Sequence, residues 1–311
     1  MSLRKIIFTH GGGRFGNQLI NYAHLLACGL EYKNVKIQQQ SLQSYLLPKG
    51  GKYIVNRGVI SELLIVRTTA HNRYYQFLLR LVYNTKIRSH HLLALFSRKI
   101  ESIVIGDKGN NLGYIFGVHT DQLIFDQNFI IASKPILLLS GWGFRNWSVV
   151  DKWKEEISSN LLKTFAQTGI DQKSKVLGVH IRGTDFKTHA NGRLYFNDAE
   201  WIKKTETIVK KFNFDKVILM SDEDKDWTNL IVVRHGWTIS TGSAGKSGDM
   251  YDAFSDLLSC DLILTAGSTF ALMAAWISDA KVIDVADDNT ELNAMNYYEW
   301  KNHKNFLLNW K

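Results

Sequence analysis

The sequence predicts an α/β protein made of two doubly wound parallel sheets. Apolar runs of strand length alternate with stretches whose apolar residues recur every three or four positions. Several of those runs end in clusters of small, hydroxylated or charged residues, the composition expected where strand ends border a ligand crevice. The polar stretch 167–175 separates two such series, so the expected domains are residues 1–168 and 169–311.

The first domain opens with a strand over 5–9, followed by the loop His10-Gly11-Gly12-Gly13-Arg14-Phe15-Gly16-Asn17-Gln18. Leu19, Ile20, Tyr22, Ala23, Leu25, Leu26 and Leu30 then recur at helical spacing. Strand, glycine loop and helix form a unit that presents backbone N–H groups to an anion. Gly11, Gly13 and Gly16 satisfy G-x-G-x-x-G, but a dinucleotide site also needs an acid ending the second strand. That strand, Val35-Lys36-Ile37, runs into Gln38-Gln39-Gln40, which argues against a nicotinamide or flavin site. A close-packed turn is the plain alternative, although such a turn has no need of Arg14 and Asn17.

Helices are expected over 74–83 and 91–100, inside the most basic part of the chain, with Arg67, Arg73, Arg80, Lys86, Arg88, Arg98 and Lys99. These charges read as a solvated face or, over 67–104, as a peripheral contact with an anionic membrane. A strand over 135–139 leads into Ser140-Gly141-Trp142, and a helix is expected from about 149 to 165.

The second domain begins with the buried strand 175–179, which runs into His180-Ile181-Arg182-Gly183-Thr184-Asp185. An imidazole, a guanidinium and a carboxylate crowded at a strand exit suggest a site; a solvated strand end is the plain alternative. After a polar loop, helix 198–211, strand 216–220, helix 226–233, strand 237–240, helix 250–259, strand 262–264, helix 268–278 and strand 281–285 complete the alternation. Ser268 and Thr269 open a helix, so their hydroxyls either cap it or bind a diphosphate. Asp222 and Asp224 form an acidic pair without further metal-ligand spacing, so no metal is expected.

The composition is that of an ordinary globular chain: 311 residues, 45% hydrophobic, 22% charged, net charge +9. No Lys/Arg run marks a nucleic-acid arm, so the positive charge leaves an acidic membrane surface or small anionic substrates. Cys28 and Cys260 sit in apolar contexts and read as buried thiols. No run reaches membrane-spanning length, and the first strand follows Met1 closely, so a cytoplasmic protein without a signal peptide is expected.

Gly13-Arg14-Phe15-Gly16-Asn17-Gln18 resembles the glycine loop of protein O-fucosyltransferases and the opening of bacterial alpha-1,2-fucosyltransferases. His180-x-Arg182-x-x-Asp185 resembles the His-x-Arg motif of the fucosyltransferase superfamily. Leu139 to Trp142, Val217 to Asp222, and Asp256 to Phe270 are similar to further segments of that group, in the same order. The sequence departs from the pattern at Gly183, at Thr269 and at Ala271-Leu272-Met273.

The resemblance implies a GT-B-like fold, two Rossmann-like domains facing a cleft, with the acceptor on the N-terminal side. It implies inverting, metal-independent transfer of fucose from GDP-fucose to a glycan or glycoconjugate hydroxyl, with no cofactor. Another nucleotide-sugar donor, or a nucleotide-sugar-binding protein without catalysis, are the alternatives. On this reading Arg182 binds the donor diphosphate, and Asp185 is either the base or the group that orients Arg182, with His189 a further candidate base. Asn17, with Gly13, Arg14 and Gly16, borders the donor. His180, Asp222, Ser268, Thr269 and Phe270 contact the nucleotide, and Asp256 or Asp252 lies near the base edge.

Overall fold

The structure is a computed structural model that describes residues 4–10, 14–32, 35–39, 100–105, 118–120, 123–126, 135–141, 144–165, 174–225, 236–246, 250–285, 294–295 and 299. The chain divides into two compact units, Met1–Ile157 and Ser158–Lys311.

The first unit carries a five-stranded sheet in the order β2-β1-β6-β3-β4, every pair parallel. Its strands are β1 (Arg4–His10), β2 (Val35–Gln39), β3 (Ile100–Ile105), β4 (Val118–Thr120) and β6 (Ile136–Gly141). Ile6 pairs with both Ile37 and Leu137, and all three side chains are fully buried. Between β1 and β2 runs α1 (Phe15–Glu31), which is buried on nearly every side and therefore apolar almost all round. A small parallel pair joins β5 (Leu123–Ile124) to β7 (Phe144–Arg145).

The helix expected over 149–165 is two helices, α2 (Trp147–Lys152) and α3 (Lys154–Phe165). The break falls at Trp153, whose backbone leaves helical geometry. Its indole Nε1 donates to Glu31 at the end of α1 at 2.7 Å, and Lys152 pairs with the same carboxylate. The break thus coincides with tertiary contacts to α1, with no proline or glycine present. Ile100, expected at the end of a helix, instead begins β3. The rest of that expected helix, the expected helices 74–83 and 226–233, and the basic stretch 67–99 lie outside the described residues.

In the second unit the order is β10-β9-β8-β11-β12, again all parallel. The strands are β8 (Val176–Ile181), β9 (Lys216–Ser221), β10 (Thr238–Ile239), β11 (Leu262–Thr265) and β12 (Lys281–Asp284). Counted within the unit this is 3-2-1-4-5, a doubly wound sheet whose switch point lies between β8 and β11.

Central β8 is buried at all six positions, as a parallel strand covered on both faces must be. Leu177, Val179 and Ile181 share a core with Trp201 and Ile208 of α4 (Asp198–Phe212). Gly178 and His180 alternate to the opposite face. A Cβ at Gly178 would stand 2.7 Å from Cys260 Sγ and 3.1 Å from Leu257 of α5 (Met250–Leu258). His180 stacks on Phe270 of α6 (Thr269–Ser278). Helices therefore cover both faces of the sheet, and the α/β class read from the sequence is the one observed.

Capping sets the helix limits in this unit. Asn197 and Glu200 form a reciprocal capping box at the start of α4, and Asn213 ends the helix in the left-handed region at φ 52°. Both cysteines are buried, and neither forms a disulfide.

Candidate active site

His180, Arg182, Asp185, Asp222 and Ser268 lie at or just after the carboxyl ends of β8, β9 and β11, whereas Asp252 and Asp256 lie on α5. Arg182 leaves β8 at the switch point. Its Nε and Nη2 donate to Asp185 Oδ1 and Oδ2 at 2.9 and 2.7 Å, a two-pronged fork. The guanidinium carbon also lies 4.8 Å from the centre of the Phe186 ring, with the His189 ring stacked on Phe186 at 5.8 Å. Arg182 is thus held by a fork and a ring, with its side chain 13% exposed.

Asp222 anchors the turn that carries this pair. Its Oδ1 accepts from the N–H groups of Gly183 (2.8 Å) and Thr184 (3.3 Å), and Oδ2 accepts from the Thr184 hydroxyl at 2.6 Å. Burial opposes ionisation of Asp222, but these hydrogen bonds prevail and hold its carboxyl below the usual range. Asp222 was expected to contact the nucleotide; here its carboxylate binds the loop beside Arg182.

His180 is the last-but-one residue of β8. Its ring stacks on Phe270 with centroids 5.2 Å apart. Burial, aided by nearby Arg182 and opposed by Asp222, lowers its pKa to about 4, so the imidazole is neutral at physiological pH. Its Nδ1 is buried with no hydrogen-bond partner.

The second buried polar atom of this kind at the switch point is Ser268 Oγ, after the carboxyl end of β11. Ser268 occupies the N-cap of α6, yet its side chain makes no capping bond. Gly267, in the left-handed region at φ 72°, turns the chain into that helix. A helix N-terminus with an uncommitted serine, beside a neutral imidazole and a fixed arginine, suits a diphosphate.

Thr269 and Phe270 form the first turn of α6, Thr269 buried and Phe270 partly so. Phe270 also meets Phe254 of α5 edge-on at 5.1 Å. Asp256, two residues beyond Phe254, is half-buried; burial raises its pKa, opposed by a hydrogen bond from Ser240. Asp252 lies in the first turn of the same helix.

Of the expected residues in the first unit, Arg14 is the exposed N-cap of α1, Gly16 is buried in its first turn and Asn17 is partly exposed beside it. Gly13 lies outside the described residues.

Three contributors were not legible in the sequence: Glu223, Lys187 and Ser240. Glu223 pairs with Lys187 at 2.7 Å and Lys225 at 3.3 Å, and Ser240 bonds to Asp256 across two elements. The Lys187–Glu223 and Ser240–Asp256 contacts join residues 36 and 16 positions apart, beyond the reach of local patterns. Among the described residues, no group of three or more His, Cys, Asp or Glu side chains is placed to hold a metal, and no helix is long and apolar enough to cross a membrane.

Fold and site together define an α/β protein with Arg182, His180 and Ser268 at the switch point of its second sheet. Residues 143–311 match the model of glycosyl transferase family 11, and the chain belongs to that family. It is a glycosyltransferase, as the motif resemblance implied. No curated protein matches the chain in sequence. Among solved structures it is similar to POFUT1 in complex with GDP, at 13% identity and TM-score 0.43, covering 90% of this chain and 96% of that one. POFUT1 in complex with GDP-fucose gives 14% identity and TM-score 0.44, covering 89% and 95%. A putative UDP-N-acetylglucosamine 2-epimerase from Listeria monocytogenes gives 12% identity and TM-score 0.43, covering 99% and 88%.

Proposed function

We propose that this glycosyltransferase moves fucose from GDP-fucose to a glycan or glycoconjugate hydroxyl, with inversion and without a metal. The observation that carries the reading is the switch-point cluster: the clamped Arg182 beside two buried, unpartnered polar atoms, His180 Nδ1 and Ser268 Oγ. Family membership supports sugar transfer. The motif resemblance supports fucose, inversion and metal independence.

In this mechanism the diphosphate lies on the N-terminus of α6. The acceptor hydroxyl attacks the anomeric carbon as the bond from that carbon to the diphosphate breaks; its proton passes to water or to a phosphate oxygen of the departing GDP, and GDP leaves with the bonding electrons. Arg182, already oriented by Asp185 and Phe186, meets the charge that develops on the leaving group without reorganising. Asp185 commits both oxygens to Arg182, which favours the orienting role over that of base. The motif resemblance assigns Asn17, with Gly13, Arg14 and Gly16, to the surroundings of the donor.

The test is Arg182→Ala. Removal of one such charge-stabilising donor lowers kcat by roughly 10²–10³-fold. GDP release from GDP-fucose, measured with a glycan acceptor, should fall by that factor while the far-ultraviolet dichroism stays unchanged. Near-normal turnover in the variant overturns the role of Arg182. A thermal shift with UDP or dTDP but not GDP overturns the donor.

A further inference from the structure

We infer that Glu223 is a positioning residue for Arg182, acting through Gly183 and Lys187. The inference deepens the donor-site reading above and rests on it.

Glu223 follows β9 directly, and its backbone N–H is fixed by Ser221 Oγ at 3.1 Å. Its side chain lies over Gly183, the residue after Arg182. A Cβ at 183 would stand 2.0 Å from Glu223 Oε2 and 2.1 Å from Cδ. The side chain of Glu223 therefore fills the space that any residue larger than glycine would use at 183.

From that place the carboxylate reaches two cations. Oε1 pairs with Lys187 at 2.7 Å and Oε2 with Lys225 at 3.3 Å, and Lys225 also pairs with Asp198, the first residue of α4. The excursion 183–197, which carries Asp185 and Phe186, is thus braced near its start and middle by Glu223 and at its end through Lys225. Asp222 holds the same turn by its backbone.

Charge gives the brace a second consequence. A bare carboxylate beside Arg182 would compete for its guanidinium and repel a diphosphate. Lys187 and Lys225 balance Glu223 and Asp198, so Arg182 keeps Asp185 as its partner. The two lysines also hold the carboxyl of Glu223 in its ionised form, against the opposing effect of burial.

The experiment compares wild type, Glu223→Gln, Glu223→Ala, Gly183→Ala and the double variant Gly183→Ala/Glu223→Ala. Three readouts are needed: kcat and KM for GDP-fucose, the melting temperature, and the Nε–H resonance of Arg182 without ligand. Lys187 is half exposed, so loss of its pairing should lower the melting temperature by at most about 4 °C. A displacement of about 1 Å at a reacting group costs up to about 100-fold in rate. Glu223→Gln, Glu223→Ala and Gly183→Ala should therefore each lower kcat by at least about tenfold, with KM changing less. In the double variant the added methyl has no carboxylate to meet, so its loss should match that of Glu223→Ala alone.

Turnover within about twofold of wild type in both Glu223 variants, or losses that multiply in the double variant, overturns the inference. The Arg182 Nε–H resonance separates it from the donor reading. If wild type binds no GDP, the donor reading fails; the brace is then supported if that resonance is lost in Glu223→Ala and overturned if it is unchanged.

Discussion

His180 should make the second unit labile to mild acid. The group is buried against Phe270, and its pKa falls from 6.5 to about 4 on folding. The folded value is depressed, so the unfolded chain takes the proton first. Stability is complete above pH 6.5 and is lost as pH falls towards 4. Linkage over that interval gives a loss of about 2 kcal/mol between pH 7 and 5, and about 3 kcal/mol by pH 4. Other groups titrate in the same range, so the assay compares urea unfolding of wild type and His180→Gln at pH 7, 6 and 5. The wild-type stability should fall by about 2 kcal/mol more than that of the variant over the interval. Parallel losses, within about 0.5 kcal/mol, would refute a neutral buried imidazole at this position.

Two further substitutions test the framework around the site. Asp222→Ala leaves the N–H groups of Gly183 and Thr184 without their carboxylate, and thermal melts should show a loss of about 1–3 kcal/mol. Gly178→Ala places a methyl 2.7 Å from Cys260 Sγ and should cost about 1–3 kcal/mol by urea unfolding; Cys260→Ala in the same chain should recover part of it.

The second sheet was legible because its elements declare themselves locally. Its strands are buried on both faces, so they read as unbroken apolar runs such as 262–265, bounded by turn residues. The expected helix limits fall within a residue or two of those observed because Asn197, Asn213 and Asp279 mark them by chemistry that acts over a single turn. The first unit gave less away. Ile100 follows an apolar stretch whose spacing fits a helix, yet it pairs with Ile136 in a sheet, and that pairing spans 36 positions of sequence. Nothing near Trp153 forecasts the break between α2 and α3, which coincides with contacts to Glu31 on another helix.

The site divides in the same way. The residue types at 180–185 announced a cation, an imidazole and a carboxylate, but their division of labour depends on geometry. Asp185 had two open roles in the sequence, and its fork to Arg182 favours one of them. Ser268 was expected to cap α6 or to bind a diphosphate. It does not cap, and its buried hydroxyl stands at the switch point without a protein partner. A buried hydroxyl without a partner costs about 1–3 kcal/mol, and a ligand that hydrogen-bonds to it would recover that cost. The carboxylate at 222 makes the converse case. The resemblance placed it against the nucleotide, and in the structure three donors of one turn bond to it. What each polar group bonds within the protein depends on neighbours about 40 residues away in sequence, which local patterns do not reveal.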